Sequence, residues 1–80
     1  MKFYCISDNI DTQIGMRLAG IEGVVVHTSD EVKQALKKAV SDAEIGIVLI
    51  SEKLTPLCPN EIYNLKLRQK YPLIVEIPDR

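Results

Sequence analysis

Residues 45 to 52, Ile45-Gly46-Ile47-Val48-Leu49-Ile50-Ser51-Glu52, constrain the fold more than any other stretch. Five of the first six side chains are aliphatic, and no polar residue alternates with them. A strand of this kind needs apolar cover on both faces, the usual condition of an inner strand in a parallel sheet flanked by helices. Gly46 leaves room for another group to approach the backbone closely. Ser51-Glu52 mark the carboxyl end of the strand, where open α/β sheets commonly bind ligands and partners.

The flanking sequence supplies the other layers. Lys2-Phe3-Tyr4-Cys5-Ile6-Ser7 reads as a first strand ending in the turn-forming Ser7-Asp8-Asn9. Asp11 or Thr12 is expected to cap a helix running to about Ala19, with Ile14 and Leu18 facing inward and Gly20 as its left-handed stop. Gly15 costs that helix about 1 kcal/mol relative to alanine, which a close packing contact would explain. Gly23 to His27 reads as a second strand, and Ser29 as the cap of a second helix. Val32, Ala35, Leu36, Ala39 and Val40 give that helix one apolar stripe, opposite an outer face of Glu31, Lys33, Lys37, Lys38 and Asp42.

After Glu52, Pro56 and Pro59 interrupt any continuous helix. A short turn is expected there, then a helix with Pro59 near its first turn, reaching about Lys70. Ile62 and Leu65 form one stripe on it. Tyr63, Leu67 and Tyr71 form a second, which either widens the core face or is left over for a partner. Tyr71-Pro72 ends the helix, and Leu73 to Ile77 reads as the last strand. The order β-α-β-α-β-α-β with right-handed crossovers predicts an α/β fold. Its sheet is small, four-stranded, parallel and flavodoxin-like, with strand order 2-1-3-4 and helices on both faces.

Eighty residues make one domain, 1–80. The formal net charge is −1 and Lys and Arg are spread along the chain, so no electrostatic footprint for nucleic acid or an anionic membrane is present. No signal peptide is visible, and no apolar stretch approaches the ~20 residues of a membrane helix. A membrane location would therefore depend on other chains. Cys5 and Cys58 sit in no metal-ligand spacing and read as reduced, buried small hydrophobes of a cytosolic protein.

The chemistry that flavodoxin-like sheets often carry is missing. A dinucleotide site needs G-x-G-x-x-G after the first strand, but Ser7-Asp8-Asn9-Ile10-Asp11-Thr12 offers carboxylates instead of free donors. There is no G-x-x-x-x-G-K-[ST] loop. Asp8 and Asp11 resemble the acidic pair of a phosphoacceptor (receiver) domain. However, Ser51-Glu52 stands where the acceptor aspartate belongs, and a fifth strand with its lysine is lacking. His27 is the only histidine and reads as a surface residue at a strand end. No catalytic, cofactor-binding or metal-binding residue is expected.

Four segments, in order, resemble the F subunit of the V-type and A-type rotary ATPases: the acidic turn Asp8 to Thr12; Gly15-Met16-Arg17-Leu18-Ala19-Gly20-Ile21; Glu44 to Glu52; and Pro72-Leu73-Ile74-Val75-Glu76-Ile77-Pro78. The second is the most specific. The resemblance implies a non-catalytic subunit of the central stalk, cytoplasmic and peripheral to the membrane, without a cofactor. Its implied partner is the coiled-coil D subunit, and through it the A/B catalytic ring. Rotation would couple ATP hydrolysis or synthesis to proton or sodium-ion transport. Family members usually continue past the final I-P into a C-terminal helix, so a domain without that tail is expected for 1–80. A partner surface is expected at the end of the third strand and the start of the third helix, at Ser51, Glu52, Leu54 and Leu57, with Arg17 as a second contact. The alternative is a stand-alone receiver-like signalling domain.

Overall fold

The computed structural model describes residues 1–68 and 70–78. The chain alternates strand and helix: β1 (Lys2–Ser7), α1 (Ile10–Leu18), β2 (Glu22–Val25), α2 (Ser29–Ser41), β3 (Ile45–Ser51), a 3₁₀ turn (Thr55–Leu57), α3 (Pro59–Arg68) and β4 (Leu73–Ile77). The sheet is parallel throughout and ordered β2-β1-β3-β4, as the connectivity predicts. Because β1 and β3 are the inner strands, the chain runs outward from β1 in both directions. One helix therefore lies on one face and two on the other. α1 packs over β1 and β2, while α2 lies over β1 and β3 and α3 against β4.

The core is concentrated between the sheet and the α2/α3 layer. Tyr4 and Ile6 of β1, Val26, and Val48 and Ile50 of β3 meet Val32, Ala35, Leu36 and Ala39 of α2, then Leu54, Cys58 and Ile62. These strand residues share one face because side chains alternate along a strand. The α2 stripe is as expected, with Val40 partly buried. Both cysteines are buried free thiols. Gly46 does admit a close neighbour, since a side chain there would overlap that of Met1.

Several expectations need correction. The strand Ile45–Ser51 is an inner strand, but it is covered completely on only one face. Val48 and Ile50 are fully buried, whereas Ile47 and Leu49 on the other face are only partly so. Next, α1 does not turn Ile14 and Leu18 inward. Asn9 is its N-cap, accepting from the N–H groups of Asp11 and Thr12, and Gln13 is its buried residue, leaving Ile14 and Leu18 exposed. Finally, Gly15 makes no close packing contact: the space beside it is open. Gly20, at φ 85°, is the left-handed stop.

The cap of α2 lies one residue earlier than the sequence suggests. Thr28 Oγ1 accepts from the Glu31 N–H at 3.2 Å, and Glu31 Oε1 accepts from the N–H groups of Thr28 at 3.1 Å and His27 at 3.0 Å. This reciprocal box satisfies donors that a helix start otherwise leaves free. The His27 N–H first, then that of Thr28, hold the Glu31 carboxyl below its ordinary value of 4.5. A carboxyl whose value is lower in the folded chain contributes fully above the unfolded value and loses that contribution as pH falls through the folded one. Thr28→Ala should therefore cost about 1 kcal/mol in urea denaturation at neutral pH. Glu31→Gln should make the remaining stability less sensitive to acidification below pH 4.5. Equal urea midpoints for Thr28→Ala and the parent chain would contradict the cap's role.

At the proline-rich turn after β3, Leu57 N–H donates to Leu54 O and Cys58 N–H to Thr55 O. This gives the expected turn and then α3 with Pro59 as its first residue. α3 is described to Arg68. Of the expected continuation to about Lys70, Gln69 lies outside the described residues, and Lys70 itself is not helical. On α3, Ile62 is buried and Leu65 partly so, while Tyr63, Leu67 and Tyr71 are exposed. The two stripes do not merge into one core face.

Candidate partner interface

With α1 over β1 and β2, the same face of β3 and β4 has no helix above it among the described residues. The register aligns its side chains across the strands: Phe3, Ile47 and Leu73 form one row, and Cys5, Leu49 and Val75 the next. Phe3 is 42% exposed, Leu73 52% and Val75 43%. Scattered apolar residues are normal on a surface, whereas these rows are contiguous, the kind of surface that a partner can cover.

The carboxyl end of the sheet, beside this floor, is stitched by hydroxyl groups. Ser51 Oγ donates to Ser7 Oγ at 3.2 Å. Ser7 Oγ in turn donates to Asn9 O at 3.2 Å and accepts from Asn9 N–H at 3.0 Å. Both serines are completely buried, so β1, β3 and the turn before α1 are locked together where receivers keep an acidic centre. Asp8 Oδ1 is buried without a hydrogen-bond partner among the described residues. Burial raises the Cys5 thiol above its ordinary value, which keeps it protonated and unreactive at neutral pH. His27 is exposed, as expected. Among the described residues no group of three or more His, Cys, Asp or Glu is placed to hold a metal ion. No described helix is long and apolar enough to cross a membrane.

The five residues expected at a partner surface separate into different environments. Ser51 and Leu54 are buried, the first in the hydroxyl pair and the second in the α2/α3 core. Neither presents a side chain to a partner in this structure; both hold the surface from beneath. Glu52 and Leu57 are exposed. They are linked by a hydrogen-bonded hook in which Thr55 Oγ1 donates to Glu52 O at 3.0 Å and Leu54 N–H to Ser51 O at 2.9 Å. Arg17 is exposed in the last turn of α1. Since α1 starts at the carboxyl end of β1 and runs back, Arg17 lies at the opposite end of the sheet from Glu52 and Leu57.

The floor residues Phe3, Ile47, Leu49, Leu73 and Val75 are not singled out by sequence pattern. The signal for them lies in the connectivity: three helices on a 2-1-3-4 sheet leave one face with a single helix, too little for four strands.

The architecture defines a small flavodoxin-like α/β domain whose distinguishing surface is an open apolar sheet face. The family described as "ATP synthase (F/14-kDa) subunit" matches residues 4–80, and the chain belongs to that family. Similar chains include the F subunit of the A-type ATP synthase of Methanothermobacter thermautotrophicus, 34% identical over 71 residues, covering 88% of this chain and 66% of that one. Its counterpart in Methanosphaera stadtmanae is 35% identical with the same coverage. That of Methanococcus aeolicus is 33% identical, and the match covers all of this chain and 76% of that one. The chain thus spans about two thirds to three quarters of these relatives. The crystal structure of the corresponding F subunit of the V-type ATP synthase of Archaeoglobus fulgidus superimposes with a TM-score of 0.79 over 95% of both chains at 21% identity, which supports the fold.

Proposed function

We propose that this chain is a non-catalytic central-stalk subunit of an A/V-type rotary ATPase, docked on the coiled-coil D subunit through its open sheet face. The observation that carries this reading is the floor of exposed Phe3, Leu73 and Val75 and half-buried Ile47 and Leu49, beside a hydroxyl-stitched sheet end. A coiled coil offers a long apolar seam with polar flanks, and such a seam needs a shallow apolar surface with a polar rim. Glu52 supplies that rim at the carboxyl end of the sheet, where Leu57 adds an exposed apolar contact, and Arg17 supplies it at the opposite end. Ser51 and Leu54 hold the rim in place. In this role the domain transmits torque between the coiled coil and the A/B ring, contributing to the coupling of ATP turnover with ion transport. Its peripheral position on the membrane follows from the complex.

Co-expression with the D subunit of the same complex, then gel filtration and affinity measurement, tests the proposal. The paired change Leu73→Asp and Val75→Asp should weaken the complex by about 100-fold or more, since a central apolar anchor commonly contributes ~2 kcal/mol. Arg17→Ala and Leu57→Ala, at the rim, should weaken it by about tenfold or less. Undiminished affinity in the paired variant would remove the sheet face from the interface. Failure of the parent chain to bind at all would remove the partner.

A further inference from the structure

We propose that the groove between α2 and α3 receives an acidic amphipathic helix of a partner protein. The two helices lie side by side in one layer, each starting at the carboxyl end of the sheet and returning toward its amino end. Side chains at helical spacing on each helix face one another across the gap. Leu36 and Val40 of α2 and Leu65 of α3 form its apolar base. Leu36 is buried, and Val40 and Leu65 are half-buried.

The rim is cationic. Lys33, Lys37 and Arg68 stand along it, all three exposed. Glu61 is the one carboxylate lining the groove among the described residues, and it is engaged by Lys33 at 3.5 Å. That pair joins α2 to α3 toward the carboxyl end of the sheet. Lys37 and Arg68, farther along the two helices, have no ion-pair partner among the described residues. The groove is therefore positive on a chain whose net charge is −1. Two such charges are too few to hold a nucleic-acid backbone, but they suit a pair of carboxylates flanking an apolar stripe.

Charge, shape and length select the occupant. The cavity of about 470 Å³ falls within the ~300–1,000 Å³ of small-molecule sites, yet it is an open trough and not an enclosed cleft. An acyl chain laid there would leave its outer side in water. An amphipathic helix buries one stripe and keeps a polar side for solvent, which is what a trough requires. From Lys33 to Ser41, α2 rises about 12 Å, so about two turns of a docked helix find contact. Apolar residues at i, i+3 or i+4, and i+7 would meet the base. A carboxylate on each flank would meet Lys37 on one side and Arg68 on the other. α2 and α3 cover the sheet face opposite the open one, so the groove stays accessible when the open face is occupied. Occupancy of the groove does not depend on the stalk reading.

The probe is a synthetic helical peptide of about four turns, with leucines along one face and glutamates flanking them. Titrated into the isotopically labelled chain, it should move the amide resonances of Lys37, Val40, Leu65 and Arg68 and leave those of Phe3 and Val75 in place. Its micromolar affinity should fall several-fold between about 50 and 500 mM salt. The same peptide with lysines in place of the glutamates should bind at least about tenfold more weakly. The paired exchange Lys37→Glu and Arg68→Glu should reverse that preference, and the gain of binding to the basic peptide would itself show that the variant is folded. Absence of binding, equal affinity for the acidic and basic peptides, or indifference to the paired exchange would each overturn the proposal. So would shifts confined to the open sheet face, or laurate binding more tightly than the acidic peptide. The complex with the D subunit is measured separately, so loss of one reading leaves the other standing.

Discussion

Replacing Gly23 with alanine should lower the melting temperature by about 15–20 °C, corresponding to about 3 kcal/mol in a domain of this size. A methyl group there would overlap the carbonyl oxygen of Cys5 on β1, which is main chain and cannot turn aside. It would also sit 2.5 Å from Gln13 Oε1 and 2.9 Å from Cys5 Cβ. Gln13 is the buried residue through which α1 rests on the sheet, so the clash separates α1, β1 and β2 at once. Stability of an 80-residue chain is expected to be about 4–12 kcal/mol, so the loss is a large part of the total. Gly46→Ala is the control. The three atoms nearest its methyl group all belong to the side chain of Met1, an 82% exposed residue that can swing away, and the melting temperature should change by only a few degrees. Similar melting temperatures for the two variants would show that the close approach at Gly23 does not define the packing of α1.

Ile50→Ala should cost about 3–4 kcal/mol, the range for a fully buried aliphatic residue whose neighbours cannot close the cavity. Ile50 is completely buried at the centre of the α2/α3 core. Leu73→Ala on the open face should cost about 1 kcal/mol, because half of that side chain already meets water. Urea denaturation of both variants measures the difference directly. Equal losses would mean that the floor is covered in the free chain and is not available to a partner.

The contrast between Ile50 and Leu73 also marks the limit of what a sequence can convey. Strand order, parallel direction and the α2 stripe follow from local pattern and crossover handedness, and all three are seen in the structure. The apolar run Ile45 to Ile50 does form an inner strand. But an uninterrupted aliphatic run looks the same whether a helix or a partner is to cover its second face. For α1, apolar periodicity points to Ile14 and Leu18, whereas a polar residue takes the inward place. Gly23 opens a slot that the Gln13 amide fills, a fit between distant residues that periodicity cannot express. Of the residues expected at a partner surface, Ser51 and Leu54 look available because they stand where a strand gives way to a turn. Ser7 and the helical layer enclose them, and neither contact is visible in local pattern. The stripe of Tyr63 and Leu67 is legible as surplus, because one helix needs only one stripe to cover a sheet.

The open half of the sheet has a calorimetric consequence. Unfolding raises the heat capacity mainly by wetting hydrocarbon, and side chains such as Leu73 and Val75 are wet before the transition begins. The increment for the isolated domain should therefore fall below the ~1 kcal/mol/K that its length alone would suggest, giving a broad and shallow stability curve. Whatever settles on that hydrocarbon supplies the shortfall, so assembly carries a negative heat-capacity change and sharpens the temperature dependence of the whole.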